Sequence, residues 1–197
     1  MTEGHKGIAM LKRIVYRSIL IIFLALLVFP HTVSSDDAMI RDLLVTNNAS
    51  HVLVYARVTN CFTKEIEAAI LAGVPTTFTF ILELFQERSG WLDKKLIRTT
   101  LRHTIKYDNV KKLFHVSADG EKEATAFPDF ESAKRSMADL NGVPLVPLKA
   151  LKENAYYYVL SKVKLDKVRL PLHLEYLFFF VSLWDFETDW YREGFSY

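Results

Sequence analysis

The chain has one cysteine, Cys61, and only seven glycines and six prolines among its 197 residues. A single thiol cannot close an intramolecular disulfide. Scarce glycine and proline, with 13% aromatic residues, exclude a low-complexity or disordered polypeptide. No apolar run approaches the ~20 residues of a membrane-spanning helix. Catalytic signatures are missing as well. There is no Gly-x-Ser-x-Gly elbow and no glycine-rich phosphate loop. His51, His103, His115 and His173 stand far apart, without the close His or Cys spacing of a zinc site. Cys61 follows an apolar strand pattern and reads as a small buried hydrophobe. The sequence therefore offers no catalytic residue, no metal ligand set and no cofactor motif, and a non-enzymatic protein is expected.

What the chain does have is a leader. Ile19–Phe29 is an unbroken apolar run of 11 residues preceded by Lys12, Arg13 and Arg17. That is the layout of a secretory signal peptide, and Met10 would serve as an alternative start. Pro30 ends the apolar helix. Val33-Ser34-Ser35 places small residues for cleavage after Ser35, and no nearby cysteine could take a lipid. The expected organisation is a signal peptide over 1–35 and a single β-rich domain over 36–197. The mature protein is then periplasmic or otherwise extracytoplasmic; an uncleaved leader serving as a membrane anchor is the alternative. Residues 1–35 hold four of the 25 Lys and Arg and one of the 23 Asp and Glu, leaving the remaining 162 residues at net −1. Nucleic-acid binding needs a positive surface against phosphates, so it is not expected.

Period-two alternation dominates the mature chain. Met39–Thr46 and His51–Thr59 read as strands around an Asn47-Asn48 turn; Asn48-Ala49-Ser50 also matches a glycosylation acceptor and is taken as the turn. Thr77–Phe85 puts Phe78, Phe80, Leu82 and Leu84 on one face. Leu96–Tyr107 alternates Ile97, Thr99, Leu101, His103, Ile105 and Tyr107 against Arg98, Thr100, Arg102, Thr104 and Lys106. Val110–Ala118 returns antiparallel, Asp119-Gly120 turns again, and Glu121–Phe127 follows. Ala155–Leu165 faces Tyr157, Val159, Val163 and Leu165 inward, with Tyr156, Tyr158, Lys162 and Lys164 outward. Over Leu172–Ser182 either a short helix or a buried strand fits, and Trp184–Tyr191 alternates to close a sheet.

Two segments have helical spacing. Thr63 can cap Thr63–Ala72, and Gly73 with Pro75 ends it. Phe130, Ala133, Met137 and Leu140 mark Asp129–Asn141, with Gly142-Val143-Pro144 after it. The same Gly-Val-Pro ending thus occurs twice, 69 residues apart, and independent helix-stop chemistry explains it more simply than duplication. Pro144 and Pro147 confine Leu145–Leu151 to an edge strand. The expected fold is mostly β: an antiparallel β-sandwich, with the immunoglobulin type as one form, carrying two short helices. An α+β sheet with helices on one side is the alternative.

The tail Leu170-Pro171-Leu172, Leu174, Tyr176-Leu177-Phe178-Phe179, Trp184-Asp185-Phe186 and Trp190 is distinctive, as are Ala69–Phe80 and Leu140–Leu148. In these segments the chain resembles a family of uncharacterised bacterial exported proteins of about 200 residues, catalogued as a domain of unknown function. The resemblance spans nearly the whole mature chain. It implies export and a single β-rich domain. Members are often encoded beside membrane sensor histidine kinases of the nitrogen-regulation type, which implies an envelope signalling role. It carries no functional residues over.

Three surfaces are candidates for contact. Arg98, Arg102 and Lys106 share a strand face and form a positive stripe for an acidic partner or anionic headgroups; a solvated face that guards against aggregation is the simpler use. Asp185, Glu187 and Asp189 share a face and suit solvation, pairing with that stripe, or Ca²⁺. Tyr176, Phe178, Phe179, Phe180, Trp184 and Phe186 read first as core and second as an apolar contact. The functional expectation is a non-enzymatic periplasmic interaction module associated with a membrane sensor or envelope complex. Its contact residues are Arg98, Arg102, Lys106, Tyr156 and Tyr158, and peripheral membrane contact is a further possibility. The alternative is a small-molecule or lipid carrier with a pocket lined by Phe78, Phe80 and the tail aromatics.

Overall fold

The structure, a computed structural model, describes residues 37–166 and 186–197. The leader, its cleavage site and the expected elements over 170–185 lie outside those residues. Two antiparallel sheets stack in a sandwich-like, partly curled arrangement with two short helices. The first sheet has the order β1-β2-β7, from β1 (Met39–Asn47), β2 (His51–Thr59) and β7 (Asp139–Pro147). The second has the order β6-β5-β4-β3-β8-β9, from β3 (Thr76–Gln86), β4 (Lys94–Asp108), β5 (Leu113–Ala118), β6 (Thr125–Phe127), β8 (Tyr156–Leu165) and β9 (Tyr191–Ser196). Four consecutive strands therefore lie side by side as a meander, an order the immunoglobulin sandwich does not use.

The core lies between the inner faces. Val52, Val54, Ala56 and Val58 of β2 meet Phe78, Phe80, Leu82 and Leu84 of β3, with Tyr157, Val159, Val163 and Leu165 of β8 alongside. Each set recurs every second residue, because alternate side chains of a strand share a face. Burial of these side chains, about 1.5–3 kcal/mol each, is what holds the sheets together. A bulge in β1 between Arg41 and Leu44, with Asp42 at φ 54°, adds one residue and turns Leu43 into the core.

Helix α1 (Lys64–Leu71) is capped by Thr63, whose hydroxyl accepts from the Ile66 amide, and it buries Ile66, Ala69 and Ile70. Gly73 at φ 86° closes it, its amide donating to Ile70 and that of Val74 to Ala69. Helix α2 (Phe130–Ala138) is capped by Asp129, which accepts from the Ser132 amide at 2.7 Å. It ends at Ala138, three residues short of the expected Asn141, and β7 starts at once. Gly142 is not a helix stop. It sits in a bulge of β7 at φ 64°, beneath the Tyr55 hydroxyl, which an added Cβ would approach to 3.0 Å. Pairing with β2 wins over helical spacing here: Leu140 is buried opposite Ala56, and Val143 lies opposite Val54. One Gly-Val-Pro closes a helix and the other kinks an edge strand.

Asn48 builds the β1–β2 turn, its side-chain oxygen accepting from the amides of Ser50 (2.8 Å) and His51 (2.7 Å).

Candidate functional site

The outer face of the second sheet carries every sequence-predicted contact residue, and the structure divides them. Glu83 of β3 lies opposite Arg98 in register and is only 5% exposed. Its two oxygens accept from Lys95 Nζ (2.8 Å) and an Arg98 guanidinium nitrogen (3.1 Å). Arg102 pairs with Asp119 of the β5–β6 connection at 3.4 Å. Lys106 is exposed and lies opposite His115. The three cations share a face, and two of them, Arg98 and Arg102, are paired with carboxylates.

Of the acidic residues of the tail, Glu187 does not supply that match. Glu187 pairs with Lys162 of β8 and bridges Lys164, on the far side of β3 from β4. Lys162 neutralises it and is the main cause of its carboxyl lying below the usual range. Asp185 lies outside the described residues. Among the described residues no three His, Cys, Asp or Glu side chains converge as a metal site.

The two tyrosines separate as well. Tyr156 is 45% exposed, its ring lying over Gly194 of β9. Tyr158 is 7% exposed, and so is covered despite its outward register. Its ring stacks on Phe85 with centroids 5.1 Å apart, and the Arg192 guanidinium lies 3.7 Å above it. Its hydroxyl donates to Asp93 at 2.8 Å. Burial, then the bond to Asp93, raises the Tyr158 pKa; the same bond holds the Asp93 carboxyl below its usual range.

This cluster fixes the foot of the β3–β4 loop. Asp93 also accepts from the Arg88 amide at 3.1 Å, and Glu87 pairs with Arg192 at 3.5 Å. Above that foot stand Trp91 and Leu92, 75% and 82% exposed. Isolated exposed apolar residues are ordinary, and Val110 at the β4–β5 turn is one. An adjacent tryptophan–leucine pair is not, and it has company. The Glu87 amide donates to the Tyr156 carbonyl, and Ala155 exchanges backbone bonds with Tyr197, so exposed Tyr156 and Tyr197 lie at the same end of the sheet. Sequence reading passed over Trp91. Its signal was a large apolar pair directly after the Ser89-Gly90 turn, between Arg88 and Lys94.

Several other titratable groups are engaged in structure. His103 is buried against the Phe80 ring, its Nδ1 is 3.1 Å from the Met137 carbonyl, and burial lowers its pKa. Burial pushes the Cys61 thiol up to about 12. A cleft of about 230 Å³ beside Cys61 is lined by Arg57, Glu67, Glu131, Lys134 and Asp139. Those charges already pair with one another: Arg57 holds Asp139 through two bonds of 2.9 Å, and Lys134 holds Glu67 and Glu131. Phe78 and Phe80 are fully buried in the core, and the tail aromatics through Trp184 lie outside the described residues.

No match to the chain was found among curated proteins or among solved structures. The family described as a domain of unknown function, DUF4390, matches residues 35–193, and the chain belongs to that family.

Proposed function

We propose that this protein is a non-enzymatic, extracytoplasmic interaction module that works at the membrane, beside a membrane sensor or within an envelope complex. The leader supports the compartment: basic residues, an apolar run too short to span, and small residues before Ser35. The observation that carries the module reading is the end of the second sheet where Trp91, Leu92, Tyr156 and Tyr197 are exposed together. Tryptophan and tyrosine are the side chains that contribute most where proteins meet other surfaces, being large, rigid and apolar with one polar atom. The Tyr158–Asp93 bond and the Glu87–Arg192 pair hold the loop that presents Trp91, which lowers the ordering cost of contact.

In this reading Tyr156 contacts a partner directly, while Tyr158 positions the loop. Arg98 and Arg102 tie the sheet face, and Lys106 lies off the contact end. In-cell crosslinking of the tagged protein, followed by mass spectrometry of the envelope fraction, tests the reading. Reproducible adducts to an envelope component, lost on Trp91→Ser with Leu92→Ser, are expected. A protein that crosslinks to nothing in the envelope, or whose adducts survive that change, is not the module proposed.

A further inference from the structure

We infer that the Trp91–Leu92 loop inserts into the headgroup layer of an anionic lipid bilayer. This rests on the interaction-module reading and names what the exposed end touches. Three observations point to lipid.

The first is shape. The apolar pair follows the Ser89-Gly90 turn of the β3–β4 loop, at 75% and 82% exposure. A protein partner would need a pocket matched to it. A bilayer interface receives a convex apolar pair without one, and tryptophan favours the headgroup level.

The second is charge. Arg88 and Lys94 flank the pair, are exposed, and make no ion pair among the described residues. The loop's own carboxylates are engaged: Asp93 accepts from the Tyr158 hydroxyl and the Arg88 amide, and Glu87 pairs with Arg192. The loop therefore carries, beside its apolar pair, two exposed cations that no carboxylate matches among the described residues. Basic residues next to an anionic leaflet gain roughly 1 kcal/mol each, about fivefold in affinity.

The third is the pair of exposed tyrosines at the same end of the sheet, Tyr156 and Tyr197, with a polar hydroxyl on each ring.

The test uses the protein as the cell processes it, with phosphatidylcholine vesicles and vesicles that also contain phosphatidylglycerol, with and without brominated acyl chains. Binding to the phosphatidylglycerol vesicles is expected, with quenching of tryptophan emission by the brominated chains. Trp91→Phe should remove most of that quenching while Trp184 and Trp190 still emit. Trp91→Ser with Leu92→Ser should weaken binding at least tenfold. Arg88→Gln and Lys94→Gln should each cost about fivefold, and added salt should mimic them. These side chains are exposed, so the variants keep the fold, which circular dichroism checks. Equal binding to both vesicle types, or quenching untouched by Trp91→Phe, overturns the inference. No vesicle binding, with adducts from position 91 to an envelope protein, overturns the lipid assignment and leaves the module reading standing. Neither lipid binding nor adducts overturns both.

Discussion

Tyr158 of β8 donates its hydroxyl hydrogen to Asp93, 65 residues earlier in the sequence, at 2.8 Å. The bond ties the start of β8 to the foot of the loop that carries Trp91. Tyr158→Phe keeps the ring that stacks on Phe85 and removes only the donor. The fold should survive, while amide exchange at Arg88 quickens and Trp91 anisotropy falls. The pH dependence follows from two opposite shifts. Asp93 has a depressed pKa, through Tyr158 first and the Arg88 amide second, so its contribution is present at neutral pH and lost as pH falls through its folded value. Tyr158 has a raised pKa, so its contribution is full below the usual tyrosine value of 10.0 and lost as pH rises through the folded one. Trp91 anisotropy should stay flat across neutral pH and drop at both extremes, and a profile identical in Tyr158→Phe would count against the tie.

Glu83 predicts an asymmetry. Its carboxylate is buried, whereas the side chains of Lys95 and Arg98 are 46% and 55% exposed. Removing the anion leaves two cations that water can solvate. Removing both cations leaves a buried anion with neither salt-bridge partner. Denaturant unfolding should show Glu83→Gln costing about 1 kcal/mol and the Lys95→Ala, Arg98→Ala pair costing about 3 kcal/mol.

Lys134 of α2 is a clamp between the helices. Its ammonium bonds Glu67 of α1 at 2.6 Å and Glu131 at 2.7 Å, and lies 4.9 Å from the Phe130 ring centroid and 5.8 Å from that of Phe62. Lys134→Met keeps the stem and removes the charge. A loss of about 1–2 kcal/mol in chemical denaturation is expected from its two ion pairs and two cation–π contacts together, since all but the Glu67 side are largely exposed or long, with wild-type strand content by circular dichroism.

Cys61 reports on global stability. It is 2% exposed, and burial pushes its thiol up to about 12. The reactive species is the thiolate, so at neutral pH labelling by iodoacetamide should be negligible in the native protein. It should rise with denaturant along the unfolding curve. Rapid native labelling would mean that the region around Val58 and Cys61 opens locally.

Most of the fold was legible because alternation and turn chemistry are local. His51–Thr59 is a strand with the expected bounds, and Thr63 caps its helix as expected. Local signals failed where pairing across the fold decides. Leu140 has helical spacing with Met137, yet it is taken by β2 into a strand. Arg98 and Arg102 share a face, as alternation requires, but alternation is silent about what lies opposite. Register brought Glu83 against Arg98, and the β5–β6 turn brought Asp119 against Arg102. Tyr158 was placed outward correctly and became covered because Arg192 of β9 folds over it. Trp91 was overlooked because a turn is read by its glycine and serine, and the apolar pair beside them belongs to no periodic pattern.

The exposed Trp91 end as the contact surface is tested most directly by a photoreactive side chain placed in cells at position 91. Leu44, 56% exposed on the first sheet, is the control position. Adducts to membrane components from position 91, with few from position 44, are predicted. Equal labelling from both positions, or none from 91, would contradict the account.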